Sequence, residues 1–417
     1  MPAMSPIATT RATPVAFADG VNLDAFGRLR VSQPANLFDS KLTYNLAPLS
    51  WQTITTGSGA VAHLPAEAAA RMRVTGNGDS VIRQTFGYFP YRPGKSQLIL
   101  LTGVMGIATG VTNRVGSFDA GNGLFFQTVG TALSVVRRTN TSGSPVDEVV
   151  PQANWNIDPL DGTGPSGITI DPSKAQIWAI DYEWLGVGRV RMAVVVAGQV
   201  VPVHQFLHSN VITSVYMRDA TLPLRYEISA SGTTGTVDAK QICASVTSEG
   251  GEPTTSGQVH SASNGTTLVS ASTRRAILSI RPAATFNSIV NRHWIVPAAA
   301  EVYCDGTVDA LIEVVRGGAL GGSPSWGAVS ANSAVEVDTA GTTVTGGETI
   351  YRGYAVGGGN NIASGKALDF RSLGITDQTL ILALDHAGAN PIGLSIVATG
   401  IGGTASVAGA LTWTEVR

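Results

Sequence analysis

The chain has 417 residues, of which 43% are hydrophobic and 13% charged, with 49 glycines and a formal net charge of −2. The hydrophobic share excludes a disordered protein, and the near-neutral charge gives no electrostatic basis for binding nucleic acid or an anionic membrane. No apolar run reaches the roughly 18 residues that span a bilayer, and the first residues, MPAMSPIATT, lack the pattern of a secretory signal. Many glycines and few charged residues are typical of an all-β protein. A surface with few charges also indicates that copies of the same chain, or a larger assembly, cover much of the exterior.

We predict an N-terminal arm and an anchoring segment over residues 1–40. In Leu23–Lys41 apolar residues flank a Gly27-Arg28 turn, and Pro34 interrupts the strand. This pattern suits a segment that pairs with the edge of its own domain or of a neighbour, and it equally suits an ordinary first strand of a sandwich. The candidate anchoring residues are Phe26, Arg28, Leu29, Arg30, Leu37 and Phe38.

Residues 41–250 predict an antiparallel β-sandwich of the jelly-roll type. Strand-sized segments recur roughly every ten to fifteen residues between turn residues, which is sandwich spacing. Pro65–Arg73 is the one clear helix candidate, and Asn154–Asp171 is a loop rich in Gly, Pro and Asp.

The stretch Ala175–Val203 predicts the central meander of this sandwich. Through Ala175–Leu185 and again through Arg189–Ala197, residues of an almost wholly apolar face alternate with residues of a half-apolar face, and glycine turns follow each segment. Alternation over aromatic and β-branched residues indicates three consecutive strands, deep inside a sheet sandwich.

A polar segment separates this domain from a second one. We predict a linker over residues 251–263 and a second β-sandwich over 264–417, on strand patterns such as Arg275–Arg281 and Thr307–Val315. Cys243 and Cys304 lie on opposite sides of the boundary. They are expected to be thiols in a reducing cytoplasm, and a bridge between the domains is the alternative.

Several segments resemble a family of tailed-bacteriophage virion structural proteins. The segments are Phe26–Ser32, Leu37–Lys41, Pro93–Gln97, Asn122–Phe126, Asp161–Gly167, Asp181–Arg189 and Leu222–Glu227. The likeness covers roughly residues 23–250 well. It implies a virion protein, either a capsid decoration or a tail or fibre component, assembled in the host bacterial cytoplasm.

The hairpin rhythm of Gly123–Arg137 and Arg189–Phe206 is similar to concanavalin A-like jelly rolls. Jelly-roll glycosidases of this kind use alternating carboxylates as catalytic groups, and Asp181 and Glu183 alternate on one strand face here. The sequence departs from that pattern because no third acid follows. The favoured interpretation is that both carboxylates form ion pairs with Arg189 or Arg191 across a tight turn, so no catalytic residue is assigned.

Other candidate sites are weaker. Asp158, Asp161 and Asp171 form a candidate calcium loop, but Asp-Gly and Asp-Pro are ordinary turn pairs. His204 and His208 lie four residues apart on a strand, about 13 Å at 3.3 Å per residue, which is too far for one metal. Trp294, Trp326, Tyr351 and Tyr354 are candidate glycan contacts, with core packing or a subunit contact as the favoured alternative. No cofactor or metal is assigned.

The sequence therefore predicts a non-enzymatic virion component. We expect it to assemble with itself, as a trimer, and with other virion proteins through its arm and β faces. The alternative is a module that binds or depolymerises carbohydrate on a host surface. Exposed aromatic residues would then contact the glycan, or Asp181 and Glu183 would cleave it.

Overall fold

The computed structural model describes residues 33–232, 235–249, 257–358, 366–370 and 381–416. The described chain is made of antiparallel strands and two short 3₁₀ turns, which confirms the all-β prediction. Within these ranges no helix is long and apolar enough to cross a membrane. The candidate anchoring residues Phe26, Arg28, Leu29 and Arg30 lie outside the described residues.

The first sandwich, as we call the part built from strands β1–β15, has two large sheets. Its strands are β1 (Pro34–Lys41), β2 (Trp51–Thr56), β3 (Ala60–Leu64), β4 (Ala69–Val74), β5 (Ser80–Thr85), β6 (Ser96–Val104), β7 (Val111–Phe118), β8 (Gly123–Val129), β9 (Ala132–Thr139), β10 (Val146–Pro151), β11 (Gln176–Tyr182), β12 (Val190–Val196), β13 (Gln199–Phe206), β14 (Leu224–Ala230) and β15 (Val237–Glu249). One sheet runs β13-β12-β11-β6-β15-β4-β3, with β1 also paired to β15, and the other runs β10-β9-β8-β7-β14-β5-β2. The 3₁₀ turns are Pro65–Glu67 and Gln152–Asn154.

The second sandwich is built from strands β16–β30. Its strands are β16 (Gln258–Ser263), β17 (Val269–Ala271), β18 (Arg275–Pro282), β19 (Thr285–Phe286), β20 (Ile289–Val290), β21 (Trp294–Asp305), β22 (Ala310–Arg316), β23 (Ala319–Gly321), β24 (Gly327–Ala328), β25 (Val335–Asp338), β26 (Thr343–Thr345), β27 (Glu348–Ala355), β28 (Lys366–Asp369), β29 (Leu394–Gly400) and β30 (Ala405–Val416). Its larger sheets run β16-β30-β21-β28, with β17 also on β30, and β24-β25-β18-β29-β22-β27. β19-β20 and β23-β26 form small separate hairpins.

The meander predicted around Ala175–Val203 is present as β11, β12 and β13. Trp178, Ile180 and Tyr182 face the core and are fully or almost fully buried. Ala197 and Gly198 both have positive φ, 50° and 79°, and form the two-residue turn between β12 and β13. Because both central residues of such a turn need positive φ, glycine at 198 lowers its strain.

The predicted helix Pro65–Arg73 is wrong. Only Pro65–Glu67 forms a 3₁₀ turn, and Ala68, in the left-handed region at φ 49°, ends it. Ala69–Val74 then forms β4, where Met72 and Val74 are buried between β3 and β15. Pairing on both sides outweighs the helix preference of the alanines, since propensity is a weak prior.

Leu37 and Phe38 are core residues of the first sandwich. β1 pairs with β15, and each of the two side chains is 6% exposed. The Phe38 ring lies 6.0 Å from the Trp51 ring and 5.1 Å from the Phe89 ring. Leu37 and Phe38 thus lie on a strand of the chain's own sandwich, and their role in anchoring to another protein stays a prediction.

The segment predicted as a linker, residues 251–263, is shorter than expected. Gln258–Ser263 forms β16 and pairs with the last strand, β30. The free cysteines are Cys243, which is exposed, and Cys304, which is buried.

The hydrophobic core of the first sandwich extends into the second sandwich, which also has a core cluster of its own. Trp294, Val296, Ile381, Ala383 and Val416 of the second sandwich belong to the same buried cluster as the core of the first. The Trp294 ring meets the Phe89 ring edge to face at 6.0 Å between centroids. This buried contact fixes the two sandwiches against each other.

Arg83 is a buried cation that organises one end of the first sandwich. Its Nε donates to Gln241 Oε1 at 2.6 Å, Nη1 donates to Thr53 Oγ1 at 2.8 Å and Nη2 donates to the Leu46 carbonyl at 2.6 Å. Burial lowers its pKa to about 10, so it stays charged at neutral pH. The Arg83 side chain, on β5, therefore joins β2, the loop before β2 and β15.

We expect Arg83→Met to lower the free energy of unfolding by about 2–4 kcal/mol, because buried acceptors lose their donors. Arg189→Met, at an exposed position, is the control and should change it by less than about 0.5 kcal/mol. Urea unfolding followed by tryptophan fluorescence measures both. Equal losses of unfolding free energy in the two variants would contradict the role assigned to Arg83.

Candidate functional site

The carboxylates that the sequence singled out are used structurally. Asp181 lies directly opposite Arg191 in the β11–β12 register and forms an ion pair with it. Glu183 lies past the end of β11 and accepts a hydrogen bond from the backbone N–H of Arg189 at 3.4 Å. The ion-pair interpretation is confirmed for Asp181 with Arg191, whereas Glu183 contacts the backbone of Arg189 and not its guanidinium.

The acids of the Asn154–Asp171 loop hold the loop backbone. Asp158, 2% exposed, accepts hydrogen bonds from the backbone N–H groups of Leu160 at 2.9 Å and Ser166 at 2.8 Å. Burial alone would raise the pKa of Asp158, but these hydrogen bonds outweigh it and lower the pKa. Asp161 and Asp171 accept from Thr163 and Ser173 in the same way. No group of three metal-ligating side chains occurs among the described residues.

His204 and His208 make separate contacts. The backbone N–H of Asn156 donates to Nδ1 of His204 at 3.2 Å. Nδ1 of His208 donates to the Gly188 carbonyl at 2.6 Å, and the His208 ring stacks on the Tyr216 ring with centroids 4.1 Å apart. Burial lowers the pKa of both histidines, so both are neutral parts of the packing.

The four candidate glycan aromatics do not come together. Trp294 is 6% exposed at the core shared by the sandwiches, so its assignment as an exposed residue is wrong. Trp326 is half-buried, with the Arg281 guanidinium 4.1 Å from its ring. Tyr351 packs against the core of the second sandwich, and Tyr354 is 67% exposed. Trp326 lies beside β24 and the tyrosines lie on β27, at opposite edges of one sheet.

A concave site lies between the two sandwiches. We call it the interdomain cleft. The first sandwich contributes Asp219 and Thr221, and the second contributes Phe286, Asn287 and Ile289–His293. Its volume is about 220 Å³. Because the shared core holds both sandwiches, the cleft has walls fixed from two sides.

One wall of the cleft is the small hairpin β19–β20. Asn287 and Ser288 at its tip have φ of 49° and 64°, the two positive values that a two-residue turn requires. The hairpin presents Ile289, 56% exposed, and the half-buried Phe286 ring. The Phe286 ring also meets the His293 ring at 5.4 Å. This wall offers aromatic and aliphatic surface to a ligand.

Asp219 is the acidic group of the cleft. The backbone N–H of Thr221 donates to its Oδ1 at 2.8 Å. Asp219 is exposed to solvent. Desolvation by the surrounding protein, together with the negative charge of Asp119, raises the pKa of Asp219 above its ordinary value.

Arg292 and Asn291 fix the floor of the cleft. Arg292 donates to the carbonyls of Asp385 at 2.8 Å and His386 at 3.0 Å, and its guanidinium lies 4.2 Å from the Tyr88 ring centre. Asn291, 3% exposed, donates to the Ala334 carbonyl at 2.7 Å. These bonds leave little freedom for the segment that carries His293.

Sequence reasoning missed this cleft. Asp219 stands in an irregular stretch, MRDATLP, and the hairpin strands are only two residues each. The available signal was Asn287-Ser288 between two pairs of strand-forming residues, Thr285-Phe286 and Ile289-Val290, which is a hairpin cue. It does not indicate that the hairpin faces a loop more than sixty residues earlier in the chain.

No family model matches the chain. No curated protein matches it either.

Solved structures match about half of the chain. A prokaryotic β-1,3-1,4-glucanase (lichenase) derived from a mouse hindgut metagenome has 10% identity and a TM-score of 0.34, and covers 50% of this chain and 97% of its own. The laminarinase catalytic domain from Thermotoga maritima has 12% identity and a TM-score of 0.36, and covers 52% and 98%. The Bacillus licheniformis β-glucanase has 10% identity and a TM-score of 0.32, and covers 52% and 99%. At these values the likeness is one of fold, and no residue role is transferred.

The comparisons contradict the main functional prediction. We predicted a non-enzymatic virion component, whereas these structures are glucanases. The carbohydrate alternative is the one retained. Assembly as a trimer stays a prediction.

Burial of neutral His208 predicts a loss of stability in mild acid. A lowered folded-state pKa means that its contribution is complete above the unfolded-state value of about 6.5. It is lost as the pH falls from there through the folded pKa. We expect urea midpoints to fall between pH 7.5 and 5, and to fall less in His208→Gln, which can still donate to Gly188. His63→Gln, at a half-buried histidine on β3, is the control. The prediction is wrong if the urea midpoint of His208→Gln falls with pH as steeply as that of the wild-type protein.

Proposed function

We propose that the protein binds carbohydrate in the interdomain cleft. The observation that carries the proposal is the composition of its walls: a carboxylate, a hydroxyl, an amide and a histidine converge beside the Phe286 ring and the aliphatic Ile289 and Val290. Ligand sites of this kind lie preferentially at domain interfaces and combine apolar walls with a few placed polar groups.

Sugars have both polar and apolar surface, and the walls of the cleft offer contacts to both. A pyranose presents hydroxyls around its rim, which carboxylates and amides hydrogen-bond. It presents C–H groups on its faces, which pack on aromatic rings. In the cleft Asp219 and Phe286 supply one group of each kind from opposite sandwiches. We infer that a ring inserted between them contacts both.

The size of the cleft limits what it holds. A volume of about 220 Å³ is below the roughly 300–1,000 Å³ of sites for drug-sized ligands. It suits one sugar ring, either a chain end or a side branch, rather than a long segment.

We expect Asp219→Ala to weaken binding by roughly ten- to a hundredfold, because it removes a charge-assisted hydrogen bond. Phe286→Ala should weaken it by roughly three- to tenfold, because it removes an aromatic contact. The measurement is isothermal titration calorimetry with soluble β-1,3-glucan, β-1,3-1,4-glucan and purified bacterial surface polysaccharides.

The controls are Trp326→Ala and Tyr354→Ala, which remove aromatic rings far from the cleft and should leave the affinity unchanged. The proposal is wrong if none of the panel binds, or if the control variants lose binding while the cleft variants retain it.

The raised pKa of Asp219 favours a second candidate function, hydrolysis of the bound glycan. A carboxyl group whose pKa is raised gives up its proton less readily than an ordinary one, which suits general acid catalysis. It would protonate the glycosidic oxygen while water attacks the anomeric carbon and passes its proton to a second carboxylate. Asp119, close enough to raise the pKa of Asp219, is the candidate for that base.

Hydrolysis is measured by the release of reducing ends from the same polysaccharides. Asp219→Asn should abolish it and leave binding within a few-fold, since the amide still forms hydrogen bonds. Asp181→Asn and Glu183→Gln should release reducing ends at the wild-type rate. Hydrolysis lost in those two variants and retained in Asp219→Asn would contradict the assignment.

A further inference from the structure

Arg316 is a second buried cation, and it lies where the sandwiches meet. It ends β22 of the second sandwich and is 7% exposed. The cavity that it lines is otherwise formed mainly by residues of the first sandwich, among them Phe38, Leu49, Ser50 and Phe86. A guanidinium is thus inserted into a mostly apolar boundary.

One nitrogen of the Arg316 guanidinium group is buried without a hydrogen-bond partner among the described residues. One Nη donates to the Ile381 carbonyl at 3.2 Å, and Nε is buried with no hydrogen-bond partner among the described residues. Glu348 is its partner in the β22–β27 register but is exposed, and the ion pairs of the described residues do not include Arg316. Arg83, by contrast, uses all three of its nitrogens.

An uncompensated buried charge is costly. Arginine keeps its charge in proteins, and a buried ion normally has a counter-charge or a full set of hydrogen bonds. Burial lowers the pKa of Arg316, and no carboxylate within the described ranges contributes an opposing shift. The charge of Arg316 therefore calls for an anion from outside the described side chains.

We propose that this cavity binds a small monovalent anion, such as chloride, between Arg316 Nε and Ser50. The cavity has a volume of about 20 Å³, close to what a single water-sized particle needs. Sulfate, phosphate and organic acids are too large. The apolar walls favour an ion of low charge, because a divalent ion loses more hydration energy on burial.

The anion would stabilise the contact between the two sandwiches. It is held by Arg316 from the second sandwich and lies against Ser50 and Phe86 of the first. Binding to the assembled boundary and not to the unfolded chain raises stability by mass action. This site is separate from the interdomain cleft and does not depend on the proposed carbohydrate binding.

Bromide can replace chloride and scatters anomalously. Crystals of the full chain grown in sodium bromide should show an anomalous peak within about 3.5 Å of Arg316 Nε, a hydrogen-bonding distance for a large halide. Density there without an anomalous signal would show a bound water and overturn the proposal.

Thermal unfolding tests the site in solution. At constant ionic strength, replacing sodium gluconate by sodium chloride should raise the wild-type midpoint by about 2 °C, the order expected for a ligand near ten times its Kd in a large domain. Arg316→Met should lose this chloride response. Arg352→Met, an exposed arginine on the neighbouring strand β27, should keep it.

An equal chloride response in wild type and Arg316→Met would overturn the proposal. Should Arg316→Met fail to fold, the bromide crystal of the wild-type chain decides alone.

Discussion

The edge-to-face contact between Phe89 and Trp294 is the interaction on which the arrangement of the two sandwiches depends. It joins the loop after β5 to the start of β21, and both rings are almost fully buried. Around it Phe38 packs on Phe89 from one side, and the Gln52 side chain accepts the backbone N–H of His386 from the other. Apolar burial supplies most of the stabilisation at such a boundary, and the polar contacts fix its register.

The interdomain cleft follows from this contact. Trp294 directly follows the segment Asn291–His293 that forms the floor of the cleft, so fixing the ring also fixes the floor. Arg292 then reaches Tyr88 of the first sandwich. A cleft with walls from two rigid sheets is pre-organised, which lowers the entropy lost when a ligand binds.

The sequence predicts the sandwich strands well wherever alternation is strong. The β11–β13 meander shows this best, because its inward residues alternate with polar ones and glycine marks its turns. The pattern fails at Ala69–Val74, where alanine-rich sequence favours a helix but pairing on both sides makes a strand. At Leu37 and Phe38 the pattern leaves an anchoring segment and a first strand equally open, because burial in the chain's own core and burial against a partner select the same apolar residues.

The candidate site could not be read from the sequence. Asp181 and Glu183 drew attention because they alternate on one strand, but a cross-strand arginine neutralises Asp181. Asp219 and Phe286 carry no local signature, since their proximity arises only from how two separate sandwiches pack.

Hydrogen–deuterium exchange with and without a saturating polysaccharide from the binding panel tests the central claim most directly. We expect slower exchange with the polysaccharide than without it in two separate segments, residues 217–222 and 284–293, and unchanged exchange on β24 and β27. Protection confined to β27 around Tyr351 and Tyr354, or to the β11–β12 face that carries Asp181, would contradict it.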